Sequence, residues 1–134
     1  MSAESIGAGW QFPLGYSPSG GFDLARGVRR LEQSMRLVLT TYPGERLMRP
    51  EFGSRLRDYV FAAVSLDTAT ELSGEVRRAL TRWEPRVEIT DVVTRPDPDE
   101  PGLLHIDIGY RPAGGGDERN LVFPFYTVPD GEVP

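Results

Sequence analysis

Leu80-Thr81-Arg82-Trp83-Glu84-Pro85-Arg86-Val87-Glu88-Ile89 is the stretch in which the chain changes its period. Before it, Leu72, Val76, Ala79, Leu80 and Trp83 line one face at helical spacing. Pro85 stops that helix, because the residue before a proline is pushed out of the helical region. After it, Val87 and Ile89 open a strand with period two. Glu84-Pro85-Arg86 is therefore a corner between a helix and a sheet, with opposite charges on either side of a fixed ring.

Downstream, Leu104, Ile106, Ile108 and Tyr110 alternate with His105, Asp107 and Gly109, the pattern of a half-buried antiparallel strand. His105 falls on its polar, solvated face. Leu121, Phe123 and Phe125 form the inward set of a third strand. Pro- and Gly-rich loops at 95–102 and 112–117 join the three into a meander. Pro124 cannot donate to a ladder, so the last strand is an edge or is bulged there.

Upstream, Thr68 and Glu71 fit a capping box, which predicts that this helix starts at Asp67 or Thr68. An earlier helix is predicted from an Asp23 cap, with Leu24, Val28, Leu31, Met35, Val38 and Tyr42 on one face. Pro43-Gly44 ends it. Between the helices the sequence predicts an extended piece near 46–49, a turn at Pro50–Gly53 and one helical turn near 54–59. The class is α+β: two main helices packed on an antiparallel sheet of three or four strands. Residues 1–22 read as an extended Gly/Pro-rich arm in which Trp10, Phe12 and Leu14 alternate. Residues 23–126 read as one domain and 127–134 as a flexible acidic tail.

The chain has 134 residues, enough for one domain. It has no cysteine, one histidine and no lysine, all 15 basic residues being arginine. Disulfides, thiolate or multi-histidine metal sites, thiol nucleophiles and lysine chemistry are excluded, and no cofactor is expected. The net charge of −5 speaks against a general nucleic-acid binder. That charge is uneven: residues 1–86 hold 12 Arg and 10 acids, residues 87–134 hold 3 Arg and 10 acids. Such asymmetry suits a part that meets different partners on different faces. The N-terminus does not read as a signal peptide and no stretch reaches the ~20 apolar residues of a membrane span. The expected place is the cytoplasm, with no membrane contact by the chain itself.

Four segments in order and register carry a resemblance. They are Gly9-Trp10-Gln11-Phe12-Pro13-Leu14; Pro43-Gly44-Glu45-Arg46-Leu47-Met48-Arg49-Pro50-Glu51-Phe52-Gly53; Trp83-Glu84-Pro85-Arg86-Val87; and Asn120-Leu121-Val122-Phe123-Pro124-Phe125-Tyr126. Together they resemble the small baseplate wedge proteins of contractile phage tails, the family of T-even phage gene product 25, with relatives in type VI secretion and extracellular contractile injection systems. The resemblance implies a structural part of the inner baseplate, in a six-fold arrangement around the tube. It implies wedge scaffold proteins and sheath subunits as partners, with tube or spike components nearby, and a start site for sheath assembly. It implies baseplate contacts by Glu84, Pro85 and Arg86. An intramolecular clasp is the competing reading of that motif.

Trp10 and Phe12 are candidates for insertion into a partner. Arg46 and Arg49, flanked by Glu45 and Glu51, are candidates for an ion-pair network at an interface, where arginine is favoured. Phe52 between them is expected in the core. Leu121, Phe123, Phe125 and Tyr126 are candidates for the sheath-facing edge, since an edge strand offers unpaired amides and carbonyls. Two alternatives stand beside the baseplate role. One is a lysozyme-like hydrolase using a carboxylate pair among Glu45, Glu51 and Glu84. Arginine neighbours disfavour a general acid there. The other is a free-standing adaptor of the same fold.

Overall fold

The computed structural model describes residues 24–128. The Asp23 cap, Trp10 and Phe12 of the arm, and the tail from Pro129 on lie outside the described residues. Helix α1 spans Leu24–Thr40, a 3-10 turn Leu56–Tyr59, and helix α2 Leu66–Trp83. Strands β1 (Val87–Pro96), β2 (Leu103–Pro112) and β3 (Arg119–Tyr126) follow. The sheet is an antiparallel meander in the order β1-β2-β3.

On α1, Leu31, Met35 and Val38 are buried as the periodicity predicts, and Leu39 joins them. On α2, Leu72, Val76, Ala79 and Leu80 are buried. Against the helices lie Leu104, Ile106, Ile108 and Tyr110 of β2, all essentially inaccessible to solvent, flanked by Leu121 and Phe125 of β3. One core thus forms between a helical layer and one face of the sheet.

Three local expectations are corrected. Helix α2 begins at Leu66, because Ser65 takes an extended backbone and its side chain accepts the Thr68 amide. Thr68 is the residue being capped, so it does not form a capping box with Glu71. Residues 46–49 form a tight turn, with the Arg49 amide on the Arg46 carbonyl at 3.2 Å, in place of an extended piece. Residues 127 and 128, expected in the tail, pair with the domain. The Thr127 amide donates to Gly102 at 2.8 Å and the Val128 amide to Val60 at 2.6 Å, so both residues belong to the packed domain.

Two backbone details position the surfaces described below. The Thr127–Gly102 bond continues the β2–β3 register, so Leu121, Phe123 and Phe125 share hydrogen-bonded pairs with β2. Asn120, Val122, Pro124 and Tyr126 then turn their backbone groups to the free edge. Pro124 therefore sits where its missing donor costs the sheet nothing. The Asp97–Leu103 bond fixes the same parity on β1, where Pro96 faces outward. The second detail is the loop after α1. Ser54 closes it by giving its amide to Thr41 at 2.9 Å and its hydroxyl to Leu39 at 2.9 Å. Gly53 has φ +124, and a Cβ there would stand 2.1 Å from the Thr41 carbonyl oxygen. Only glycine permits that approach.

Candidate partner-binding site

At the corner, Glu84 is 2% exposed and ends α2. Its carboxylate accepts Arg86 Nε at 2.7 Å on Oε2 and Arg86 Nη2 at 3.1 Å on Oε1. The hydroxyl of Ser34, on α1, also donates to Oε1. One carboxylate thus ties α1, the end of α2 and the start of β1. The fork geometry is that of a bidentate arginine–carboxylate pair. Hydrogen bonding to Glu84 holds the Arg86 guanidinium above its already high ordinary pKa. The clasp expected from the sequence is present. Pro85 is exposed, and a third of the Arg86 side chain reaches the surface. A second tie runs parallel: buried Tyr110 donates to Glu32 of α1 at 2.8 Å, and burial with that bond raises the phenol pKa.

The closed loop leans on the same end of α2. Phe52 is buried, as expected, and meets Trp83 edge-on at 5.4 Å between centroids. Arg49 lies over Phe52 at 4.5 Å and over Trp83 at 5.2 Å, and Arg46 over Phe52 at 5.5 Å. Arg82 covers Trp83 at 4.5 Å and pairs with Glu51 at 2.9 Å. Among the described residues, the buried Trp83 Nε1 has no hydrogen-bond partner. Glu45 pairs with Arg57 at 2.8 Å, and Arg57 together with the Tyr42 amide holds its carboxyl below the usual range. The folding chain therefore brings Arg46 and Arg49 beside the Glu84 corner.

The third predicted set lies elsewhere. Leu121 and Phe125 are buried and Phe123 is partly buried, all three packed with the core. Tyr126 is exposed. A groove of about 250 Å³ runs beside the β3 edge, lined by Leu39, Leu56, Val60, Phe123 and Phe125 among others. His105 is less solvated than expected. It is half-buried and bonds Asp97 at 2.7 Å, and that bond with the Asp99 and Glu100 amides lowers the Asp97 pKa to about 2.

Sequence reasoning missed Ser34, whose link to Glu84 spans 50 positions and leaves no local signal. It also passed over Leu47 and Met48, which are 95% and 90% exposed at the loop's tip. Two large apolar residues inside a short Pro- and Gly-bounded segment were the available signal.

These features define a small α+β domain with a rigid corner, an arginine-rich turn and a sheet edge that is unpaired among the described residues. The family model of baseplate wedge protein gp25 matches residues 25–114, and the chain belongs to that family. Baseplate wedge protein gp25 of Enterobacteria phage T4 is 31% identical over 78 residues, 58% of this chain and 59% of that protein. The matched region thus spans less than two thirds of that relative. Among solved structures, a tail-lysozyme candidate from Geobacter sulfurreducens is 40% identical, with a TM-score of 0.69 over 75% of this chain and 90% of that one. A chain of the six-fold symmetrised baseplate of the anti-feeding prophage is 27% identical, with a TM-score of 0.54 over 87% of this chain and 82% of that one. Among the described residues, no helix is long and apolar enough to cross a membrane.

Proposed function

We propose that the chain is a wedge subunit of a contractile tail-like particle, arranged six-fold around the tube, that binds wedge scaffold proteins and starts the sheath. Its place is the cytoplasm of the producing cell, then the finished particle. The observation that carries the sheath role is the outer side of β3. Among the described residues, the backbone donors and acceptors of Asn120, Val122 and Tyr126 are unpaired there, and Pro124 presents only an acceptor. The groove beside this edge offers apolar walls for the side chains of an added strand. Pro124 splits the edge, so pairing is confined to short runs on either side of it.

Scaffold contact falls to the Glu84-Pro85-Arg86 corner and the Arg46–Arg49 tip, which both adjoin the end of α2. Glu84 supports that surface from below. The arm with Trp10 and Phe12 adds contacts of its own in the assembly. Hydrolysis is not favoured: Glu45, Glu51 and Glu84 each accept an arginine, and they lie on a loop and a corner rather than facing across a cleft.

The test is Val122→Pro, assembled in the native particle. It removes one outward donor and leaves the pairing with β2 intact. Removing residues 120–134 would instead strip Leu121 and Phe125 from the core. The expected result is a folded subunit that enters baseplates lacking sheath. Normal sheaths on Val122→Pro baseplates would place the start site elsewhere.

A further inference from the structure

Among the described residues, Leu47 and Met48 of the Arg46-Leu47-Met48-Arg49 tip are not packed into the core. Leu47 and Met48 are 95% and 90% exposed. A lone exposed apolar side chain is ordinary, but two adjacent ones at this exposure, framed by cations, are not. The loop is not slack. Ser54 and Gly53 lock its base, and the Arg49–Arg46 bond closes its turn. Arg46 and Arg49 have no carboxylate partner among the described residues, while neighbouring Arg55, Arg57 and Arg82 each have one. Arg46 lies over Phe52, and Arg49 over Phe52 and Trp83, which leaves guanidinium N–H groups available to an incoming acceptor.

We infer that this tip docks on a helical surface of a partner protein, where an apolar seam is rimmed by Asp or Glu. Leu47 and Met48 enter the seam, and Arg46 and Arg49 take the rim carboxylates as forks. Methionine's adaptable side chain suits such a seam. The turn at 46–49 exposes no strand edge, so strand addition is not the mode. A bilayer is the poorer fit. Glu45 and Glu51 stand beside the tip with much of their side chains exposed, and they would repel anionic headgroups. This inference rests on the wedge reading, because it names the kind of scaffold surface that reading requires.

The experiment places a photo-crosslinking phenylalanine at position 48 of the full chain in its native particles and sequences the joined peptide. The peptide is expected to be helical, with carboxylates flanking apolar positions. A synthetic copy of it then serves as probe. Arg46→Glu with Arg49→Glu should weaken its binding roughly tenfold or more, as hot-spot contacts do. Reversing the peptide's carboxylates to arginine should restore binding to that double variant. The double variant also loses the arginine contacts with Phe52 and Trp83, so its melting curve is recorded beside the binding, and rescue by the reversed peptide separates docking from folding. A joined segment without carboxylates, no rescue, no crosslink, or crosslinking to phosphatidylserine vesicles in place of protein would overturn the inference while leaving the wedge reading standing. Absence of the wild-type chain from sheathed particles would overturn both.

Discussion

Arg86 and Arg49 both adjoin the end of α2 and do opposite things. Arg86 closes a fork on a buried carboxylate, whose two oxygens are both engaged by Arg86 and Ser34. Arg49 lies over two rings, meets no carboxylate among the described residues, and adjoins two bare apolar side chains. The corner is built to be finished when the chain folds. Under the inferred docking, the tip is finished only when a partner arrives. On that inference, the same residue type serves cohesion where its partner is inside the chain and recognition where its partner is outside it.

The largest expected effect tests the corner. Arg86→Ala leaves the Glu84 carboxylate buried and unpaired, and such a loss costs about 3–5 kcal/mol. Chemical denaturation should show it, and an unchanged midpoint would remove the clasp from the account. Gly53→Ala comes next. The added Cβ meets the Thr41 carbonyl and the backbone sits at positive φ, so the loop base must open at about 1–3 kcal/mol. Proteolysis within 42–53 should rise with it. If it does not, the tip is presented by something other than loop closure.

A smaller effect lies at the far hairpin and serves as a control. The Asp97 carboxyl titrates lower in the folded chain, at about 2, than its ordinary 3.8. Its contribution is therefore full above about pH 4 and is lost as the pH falls toward 2. Asp97→Asn should differ from the wild type at neutral pH and converge with it at pH 2, as followed by melting temperature. The least effect on stability belongs to Leu47→Ser with Met48→Ser, within about 0.5 kcal/mol as for other surface changes. Melting temperatures check it directly, and a large drop would mean that the tip packs on its own chain.

The helix-to-strand corner was legible because a period change and a proline coincide there. The face of β2 was legible because strict alternation leaves one assignment. The edge character of β3 followed from Pro124 alone, and the register explains why that proline is tolerated. What escaped was of two kinds. The start of α2 turned on Ser65, since Ser65 and Thr68 are both competent caps and only backbone conformation chooses between them. The clasp's third member, Ser34, came from another helix, and side-chain bonds between distant segments carry no periodic trace. The tip was misread because a short apolar pair between Gly and Pro fits a strand fragment as well as a turn; loop closure at Gly53 decided for the turn.

The outward prolines have a consequence for the time before assembly. Pro96 ends β1 and Pro124 sits within β3, each on the side where another sheet would attach. Copies of the subunit meeting edge to edge find a gap in the donor row on either side, so they do not propagate into a filament. Under the proposed sheath role, the subunits stay separate until the particle is built, and the strand that completes the edge has to be one whose own pattern spans the gap.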